Sequence, residues 1–338
     1  MPAALRILFA CALAAAPGCG KKRSENTSRS LPAIEGLAAV PASATVVIGA
    51  DVEALAGSEL VRRAVAAMFE RDPELEHHLE QLAAECHIDP RTDVSGITIG
   101  MGPEPDQVVL IAAGKFDEAT LSSCLHRRMS AGGGSFTTKT SGGRVFYLAR
   151  EGDRSVWLTM GGGGTLALSP SQPWLEQAVG PGSKAGDNAT LMDAIQRIGE
   201  GRTLWAAGLV PAEVGNGLID ATRGQIEERP RAMFGDLSLD GGVSARLGVV
   251  MASAEDAKTL ESKAVFELAL GSLVAQEWGL GPLVARTRAR AEGAILQIDL
   301  RLSEVEVNEL LTALGNAEVD TRGVADKDPA SPEPGTQE

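Results

Sequence analysis

The chain has 338 residues, a formal net charge of −14 and 44% hydrophobic residues. Nucleic-acid binding depends on basic side chains that contact phosphates, so the acidic balance argues against a nucleic-acid partner. Aromatic residues make up only 4% of the chain, and Tyr147 is the single tyrosine. This composition argues against stacking platforms for carbohydrates or single strands, while the apolar content is sufficient for a sizeable core.

Residues 1–18 are predicted to be a secretory signal peptide. Arg6 supplies a short positive region, and residues 7–16 form an apolar run. That run is shorter than the roughly twenty residues needed to cross a bilayer, and its position after a positive charge is typical of an export signal. The segment contains one Arg and no acidic residue, so its removal takes the net charge from −14 to −15.

The end of this segment, Ala16-Pro17-Gly18-Cys19, resembles the lipobox of bacterial lipoproteins. The resemblance implies that Cys19 is acylated and becomes the mature N-terminus, which would hold the protein on a membrane through its lipid. Gly20, rather than Asp, leans toward the outer membrane over the inner one. The alternative is ordinary cleavage nearby, which would leave Cys19 as a plain thiol in a secreted protein.

Residues 19–36 are predicted to be a flexible tether because their first part is polar and has no apolar periodicity. The basic run at 21–23 is either a contact for anionic headgroups or a solvated part of the linker. At the other end, residues 316–338 are rich in Pro, Asp, Glu, Ser and Gly. This composition predicts a disordered acidic tail.

Between tether and tail, apolar periodicity predicts alternating strands and helices. In chain order these are a strand at 45–48, helices at 61–69 and 75–86, strands at 94–101 and 108–113, a helix from Asp117, strands at 145–149, 156–160 and 165–168, and a short helix at 173–179. A helix at 187–198 follows. Then come a strand at 203–209, a helix at 212–227, strands at 233–239 and 243–251, a long helix at 253–278, a hairpin of 284–291 with 294–302, and a final helix that opens with the capping-box spacing Ser303-x-x-Glu306.

The order of elements is similar in residues 37–186 and 187–315, which predicts two related halves. Short turns between successive strands favour antiparallel pairing. We therefore expect an α+β fold in which each half is a mostly antiparallel sheet with helices packed on one face.

The opening of the domain resembles uncharacterised predicted lipoproteins of the Gram-negative cell envelope. The shared features are residues 40–44 before a strand that ends in Asp51, the stretch 86–90 before a strand, and 114–117 with Cys124 following. The resemblance covers about residues 37–130. It implies an envelope location and a disulfide, and it implies no activity.

Cys86 and Cys124 lie on the apolar stripes of two predicted helices. Two domain cysteines in an oxidising compartment favour one disulfide over separate core thiols. A zinc site made with the adjacent His87 and with His126 is disfavoured, because residues two apart on one helix face different directions.

Arg286, Arg288 and Arg290 alternate along a predicted strand and therefore share one face. With a turn at Glu292-Gly293, Arg286 would lie opposite Asp299, and Arg301 would share the face. These four arginines form either a solvated, cross-strand-paired surface or a patch for an anionic partner.

No catalytic motif, cofactor loop or metal-ligand set is identified. The glycine runs at 132–134 and 161–164 lack the lysine of a phosphate-binding loop and are interpreted as turns. The sequence favours a non-enzymatic, membrane-anchored envelope lipoprotein that binds or scaffolds another envelope component. The alternatives are a cell-envelope hydrolase with unidentified carboxylates, and a carrier of an apolar ligand held between sheet and helices.

Overall fold

The computed structural model of the chain describes residues 33–199, 201–277 and 281–310. The predicted signal peptide, Cys19, most of the tether and the predicted tail lie outside the described residues. Within the described residues, twelve strands form one sheet. The strands are β1 (Val46–Asp51), β2 (Val94–Met101), β3 (Val108–Gly114), β4 (Ser135–Ser141), β5 (Arg144–Glu151), β6 (Arg154–Gly161), β7 (Thr165–Ser169), β8 (Leu204–Leu209), β9 (Ala232–Ser238), β10 (Gly242–Val250), β11 (Thr287–Glu292) and β12 (Ile295–Ser303).

The helices connect these strands and cover parts of both faces of the sheet. They are α1 (Val52–Gly57), α2 (Glu59–Arg71), α3 (Pro73–Cys86), α4 (Pro90–Asp93), α5 (Glu118–Ala131), α6 (Gln172–Val179), α7 (Ala189–Gln196), α8 (Ala212–Ala221), α9 (Ala254–Glu277), α10 (Gly281–Arg286) and α11 (304–310), with short 3₁₀ helices at Gly36–Ala39 and Ala185–Asp187.

The strand order is β11-β12-β10-β9-β8-β1-β2-β3-β7-β6-β5-β4, and every neighbouring pair is antiparallel. The β1–β8 pair joins β1–β7 to β8–β12. On the two sides of that pair, β1-β2-β3 mirrors β8-β9-β10, and both runs pair strands that are sequential in the chain. Short turns join β2 to β3 and β9 to β10, whereas helices lie between β1 and β2 and between β8 and β9. The predicted α+β class with antiparallel pairing is confirmed, and the structure adds that the two sets of strands share one sheet.

Because side chains alternate along a strand, each strand contributes to two faces. We call the face that bears Val47, Ala207 and Phe234 the upper face, and the face that bears Ile48 and Ala206 the lower face. Helices α6 and α7 pack on the upper face, while α1, α3, α5, α8 and α9 pack on the lower face. The helices therefore cover both faces, each over a different part of the sheet.

Side-chain caps fix where several helices begin. Asp117 accepts a hydrogen bond from Thr120 N at 2.8 Å, and Asn188 accepts one from Leu191 N at 3.1 Å. Each cap satisfies a backbone N–H that has no partner inside its helix. The capping box before α11 is also present, since Ser303 N donates to a Glu306 carboxylate oxygen at 2.8 Å.

Two local predictions are corrected. The polar strand β4 was not predicted, because Ser135–Ser141 has no alternating apolar residues; it is paired on one side only, at the edge of the sheet. Residues 284–286, predicted as strand, belong instead to α10, and β11 begins at Thr287.

The predicted disulfide is confirmed. Cys86 at the end of α3 and Cys124 in α5 are bonded, with their Cα atoms 5.2 Å apart. Both cysteines are fully buried and pack with Leu121 of α5 and with Leu158 of the lower face. The bond therefore ties together the two helices that cover this part of the lower face.

Reduction of this disulfide should lower the free energy of unfolding. The bond spans 38 residues, for which the chain-entropy model gives about 4 kcal/mol. Urea unfolding followed by circular dichroism, with and without reductant, checks this, and the Cys86→Ala/Cys124→Ala variant is the control. An unchanged urea midpoint in both cases would contradict the assigned role.

The hydroxyl group of Tyr147 should lose its proton only at unusually high pH. Burial, followed by the hydrogen bond from its hydroxyl to Glu118 at 2.8 Å, raises its pKa from 10.0 to about 12. A raised pKa means that this contribution to stability is complete below pH 10 and is lost as the pH rises through 12. Because the chain has one tyrosine, phenolate absorbance gives its midpoint directly, and Glu118→Gln should move that midpoint back toward 10.0. A midpoint of 10.0 in protein that is still folded would refute the burial argument.

Candidate functional site

The two faces of the central strands differ in how well they are covered. On the upper face Val47, Ala207 and Phe234 are buried under α7 and its neighbours. On the lower face of the same strands, each outward position of β1, β8, β9 and β10 remains at least partly exposed. Those positions, which we call the apolar strip, are Val46, Ile48, Ala50, Leu204, Ala206, Gly208, Met233, Gly235, Leu237, Val243, Ala245, Leu247 and Val249.

None of the side chains in the apolar strip is charged or polar. The register of the four strands sets them side by side, so that Ile48 lies next to Ala206, Ala206 next to Gly235, and Gly235 next to Leu247. Leu247 is 38% exposed and Leu204 36%. Single exposed apolar residues are ordinary, but a contiguous exposed apolar surface indicates a binding surface.

The lower face is closed again on both sides of the apolar strip. On one side Ile97 of β2 is 6% exposed and packs with Val52 of α1. On the other side Leu296 of β12 is 3% exposed and packs with Leu260 of α9. The apolar strip is therefore the floor of a trough whose walls are helices.

The dimensions of this trough follow from the sheet. Neighbouring strands lie about 4.8 Å apart, so β1 and β10 are about 14 Å apart, and a helix wall rises about 10 Å above the floor. At one end Arg63 of α2 donates to Asn308 of α11 at 2.7 Å. This polar contact joins the element that follows α1 to the element that follows β12, so it links the two walls.

Helix α2 is only lightly attached to the rest of the domain. Of its thirteen residues, Val61 is the buried one. Arg62 and Arg63 bind Glu59 within the helix, in pairs that are exposed to solvent. Exposed ion pairs contribute little stability. The contacts of α2 with its neighbours include hydrogen bonds from Arg62 to Ala56 O and Gly57 O of α1 and the contact of Arg63 with α11.

The predicted arginine cluster is only partly reproduced. Arg288 lies opposite Asp299, and Arg290 lies opposite Gln297. The turn is at Gly293-Ala294, one residue later than predicted, so each partner is shifted by two. A shift of two keeps side chains on the same face, which is why Arg288, Arg290 and Arg301 still share one.

Two of the four arginines in this cluster form ion pairs. Arg286 ends α10 and lies 2.7 Å from Glu306 rather than opposite Asp299. Arg290 contacts both Glu292 and Asp299. Within the part of the chain that the structure describes, Arg288 and Arg301 form no ion pair, so the free positive charge is smaller than the sequence suggested.

Neither a metal-binding cluster nor a membrane-spanning helix occurs among the described residues. No group of three or more His, Cys, Asp or Glu side chains in residues 33–199, 201–277 and 281–310 is arranged to hold a metal ion. Over the same residues, no helix is both long and apolar enough to span a bilayer.

Comparison with known proteins gives a fold likeness and no family. No protein-family model matches the chain, and no curated protein matches it. Among solved structures it is similar to TP0453 in crystal form I (12% identity, TM-score 0.46, covering 83% of this chain and 97% of that one). Crystal form III gives 11% identity and a TM-score of 0.45, with 82% and 98% covered. At these values the likeness concerns the general path of the chain and carries nothing about function.

Proposed function

We propose that this chain is an exported, lipid-anchored protein of the bacterial cell envelope that binds the hydrocarbon chains of a lipid, without catalysing a reaction. The observation that carries the ligand proposal is the apolar strip, an uncharged and partly exposed surface between two helix walls. Of the functions that the sequence left open, this arrangement favours the carrier of an apolar ligand.

The chemistry of the floor restricts what can lie on it. Burial of a polar group without a hydrogen-bond partner costs several kcal/mol, and burial of an unpaired charge costs more. The outward side chains of the apolar strip provide no such partner, so the part of a ligand that lies there must itself be apolar. Burial of a fully exposed leucine contributes roughly 1.5–3 kcal/mol. Leu247 and Leu204 are 38% and 36% exposed, so coverage of each by a ligand would contribute about a third of that amount, roughly 0.5–1 kcal/mol.

The proposed lipid anchor favours a lipid, rather than a protein, as the ligand of the apolar strip. A lipid on Cys19 would hold the domain close to a membrane, since the chain from Cys19 to Ala33 reaches at most about 48 Å when fully extended. Hydrocarbon chains would then be the most abundant apolar ligand within reach. The targeting segment, the lipobox-like residues 16–19 and the oxidised Cys86–Cys124 pair all support export, and Gly20 leans toward the outer membrane.

The mature protein should carry lipid on Cys19. Intact mass of native protein extracted from the membrane fraction should match a chain that starts at Cys19 plus acyl groups, and it should rise by about two mass units on reduction. Cys19→Ala should abolish the acylated form. A mass that matches the unacylated chain would indicate a secreted protein without a lipid anchor. A mass that still includes residues 1–18 would refute export.

A charge in the floor should weaken binding of an uncharged rod-like hydrocarbon. We expect Leu247→Glu to reduce the affinity for diphenylhexatriene, measured by its fluorescence in the Cys19→Ser chain, by at least about tenfold, because the buried carboxylate would cost more than 1.4 kcal/mol. Val156→Glu is the matched control, since Val156 is 36% exposed but lies outside the apolar strip on β6. Equal affinities for the two variants and the unmodified chain would sink the proposal.

A further inference from the structure

A second concave site lies on the upper face of the sheet, opposite the trough. It is a cavity of about 460 Å³ at the ends of β1, β2 and β3, roofed by the segment that leads into the first 3₁₀ helix. The residues that shape it are Ile34, Gly49, Thr98, Ile111, Arg202 and Trp205. It is thus separated from the apolar strip by the thickness of the sheet.

Two glycines shape this cavity in different ways. Gly49 and Gly96 both occupy upper-face positions of their strands. A Cβ on Gly49 would lie 2.2 Å from Trp205 Cε2, so the indole occupies the space that a side chain at position 49 would need. A Cβ on Gly96 would come no closer than 3.7 Å, to Ala50 O. A side chain at position 96 could therefore occupy part of the cavity without a clash at its Cβ atom.

The wall beside Trp205 carries a net positive charge. Asp236 is 2% exposed and is shared by two arginines. Arg246 binds it through Nε at 2.8 Å and Nη2 at 2.6 Å. Arg202 Nε lies 3.2 Å from the other carboxylate oxygen but is not aligned for a hydrogen bond. Two guanidinium groups on one carboxylate leave one positive charge, and Arg202 faces the cavity.

The rest of the cavity gives the ligand its shape and limits its charge. Trp205 offers a partly exposed aromatic ring, whereas Ile34 and Ile111, which are 4% and 2% exposed, close the other end of the cavity. Two carboxylates also border the cavity: Glu35 is exposed at the roof, and Asp51 caps α1 by accepting from Ala54 N at 2.9 Å. These negative charges oppose any anion, and they oppose a dianion such as a phosphate monoester more strongly than a monoanion, so binding of a monocarboxylate depends on its direct contact with Arg202.

We propose that this cavity binds a small organic monocarboxylate, with the carboxylate on the Arg202 guanidinium and a flat apolar body against the Trp205 indole. Arginine presents a planar set of donors that matches a carboxylate, and such charge-assisted hydrogen bonds are the stronger kind. The apolar body would cover the part of the indole that is exposed to solvent, which is the favourable apolar contact available here.

The test compares two probes of nearly the same shape. 4-Phenylbutyrate is a monocarboxylate, and 4-phenylbutanamide replaces its carboxylate by a neutral amide. Titration calorimetry on the mature Cys19→Ser chain should show the carboxylate binding at least about tenfold more tightly than the amide, the factor that corresponds to about 1.4 kcal/mol. Arg202→Met should remove that preference. Arg301→Met, which replaces an exposed arginine on β12, should keep it.

A second variant keeps the test valid if Arg202→Met unfolds the protein. Gly96→Val fills the floor without a backbone clash, so it should leave the fold intact by circular dichroism and lower the affinity for 4-phenylbutyrate at least about tenfold. Leu247→Glu, on the opposite face, should leave that affinity unchanged, so this proposal and the lipid proposal can fail separately. Equal binding of the two probes, no binding of either, or unchanged binding by folded Gly96→Val would overturn the inference.

Discussion

The backbone pairing of β1 with β8 is the constraint on which the rest of the structure depends. It joins β1–β7 and β8–β12 into one sheet, and its register decides which side chains share a face. Val47 and Ala207 lie on the upper face, while Ile48 and Ala206 lie on the lower one. If β8 slipped by one residue along β1, the side chains of β8 would change faces. Ala206 and Gly208, rather than Trp205, would then lie on the upper face. Both candidate sites therefore depend on this one ladder of hydrogen bonds.

The two faces of the sheet favour different kinds of ligand. On the upper face the chain buries Asp236 with two arginines and leaves a cavity above glycines, which suits a ligand with a charged end. The lower face is apolar across four strands, and among residues 33–199, 201–277 and 281–310 it is fully buried only at its flanks. Because sheet and helix cores normally bury such surface, the uncovered part is a deviation that favours a ligand role.

Much of the fold could be predicted from the sequence, because periodicity and capping residues are local signals. The disulfide was predictable since Cys86 and Cys124 both lie on apolar helix stripes. The exposure of the apolar strip could not be predicted, because a strand such as Val46–Asp51 is apolar on both faces and is interpreted as buried. Only the positions of α1 and α9 show that the lower face of this strand is open. The cavity was missed for a similar reason, since Gly49, Gly96 and Trp205 are far apart in sequence and meet through strand register.

The openness of the apolar strip is the central claim, and thiol labelling tests it most directly. In the Cys19→Ser chain, the thiol introduced by Leu247→Cys should react with a maleimide readily, and bound diphenylhexatriene should slow that reaction. The thiol introduced by Leu296→Cys, on the same face but under α9, should stay protected in the folded protein. If both positions are equally protected, or if the hydrocarbon leaves labelling at position 247 unchanged, the trough is not an open binding site.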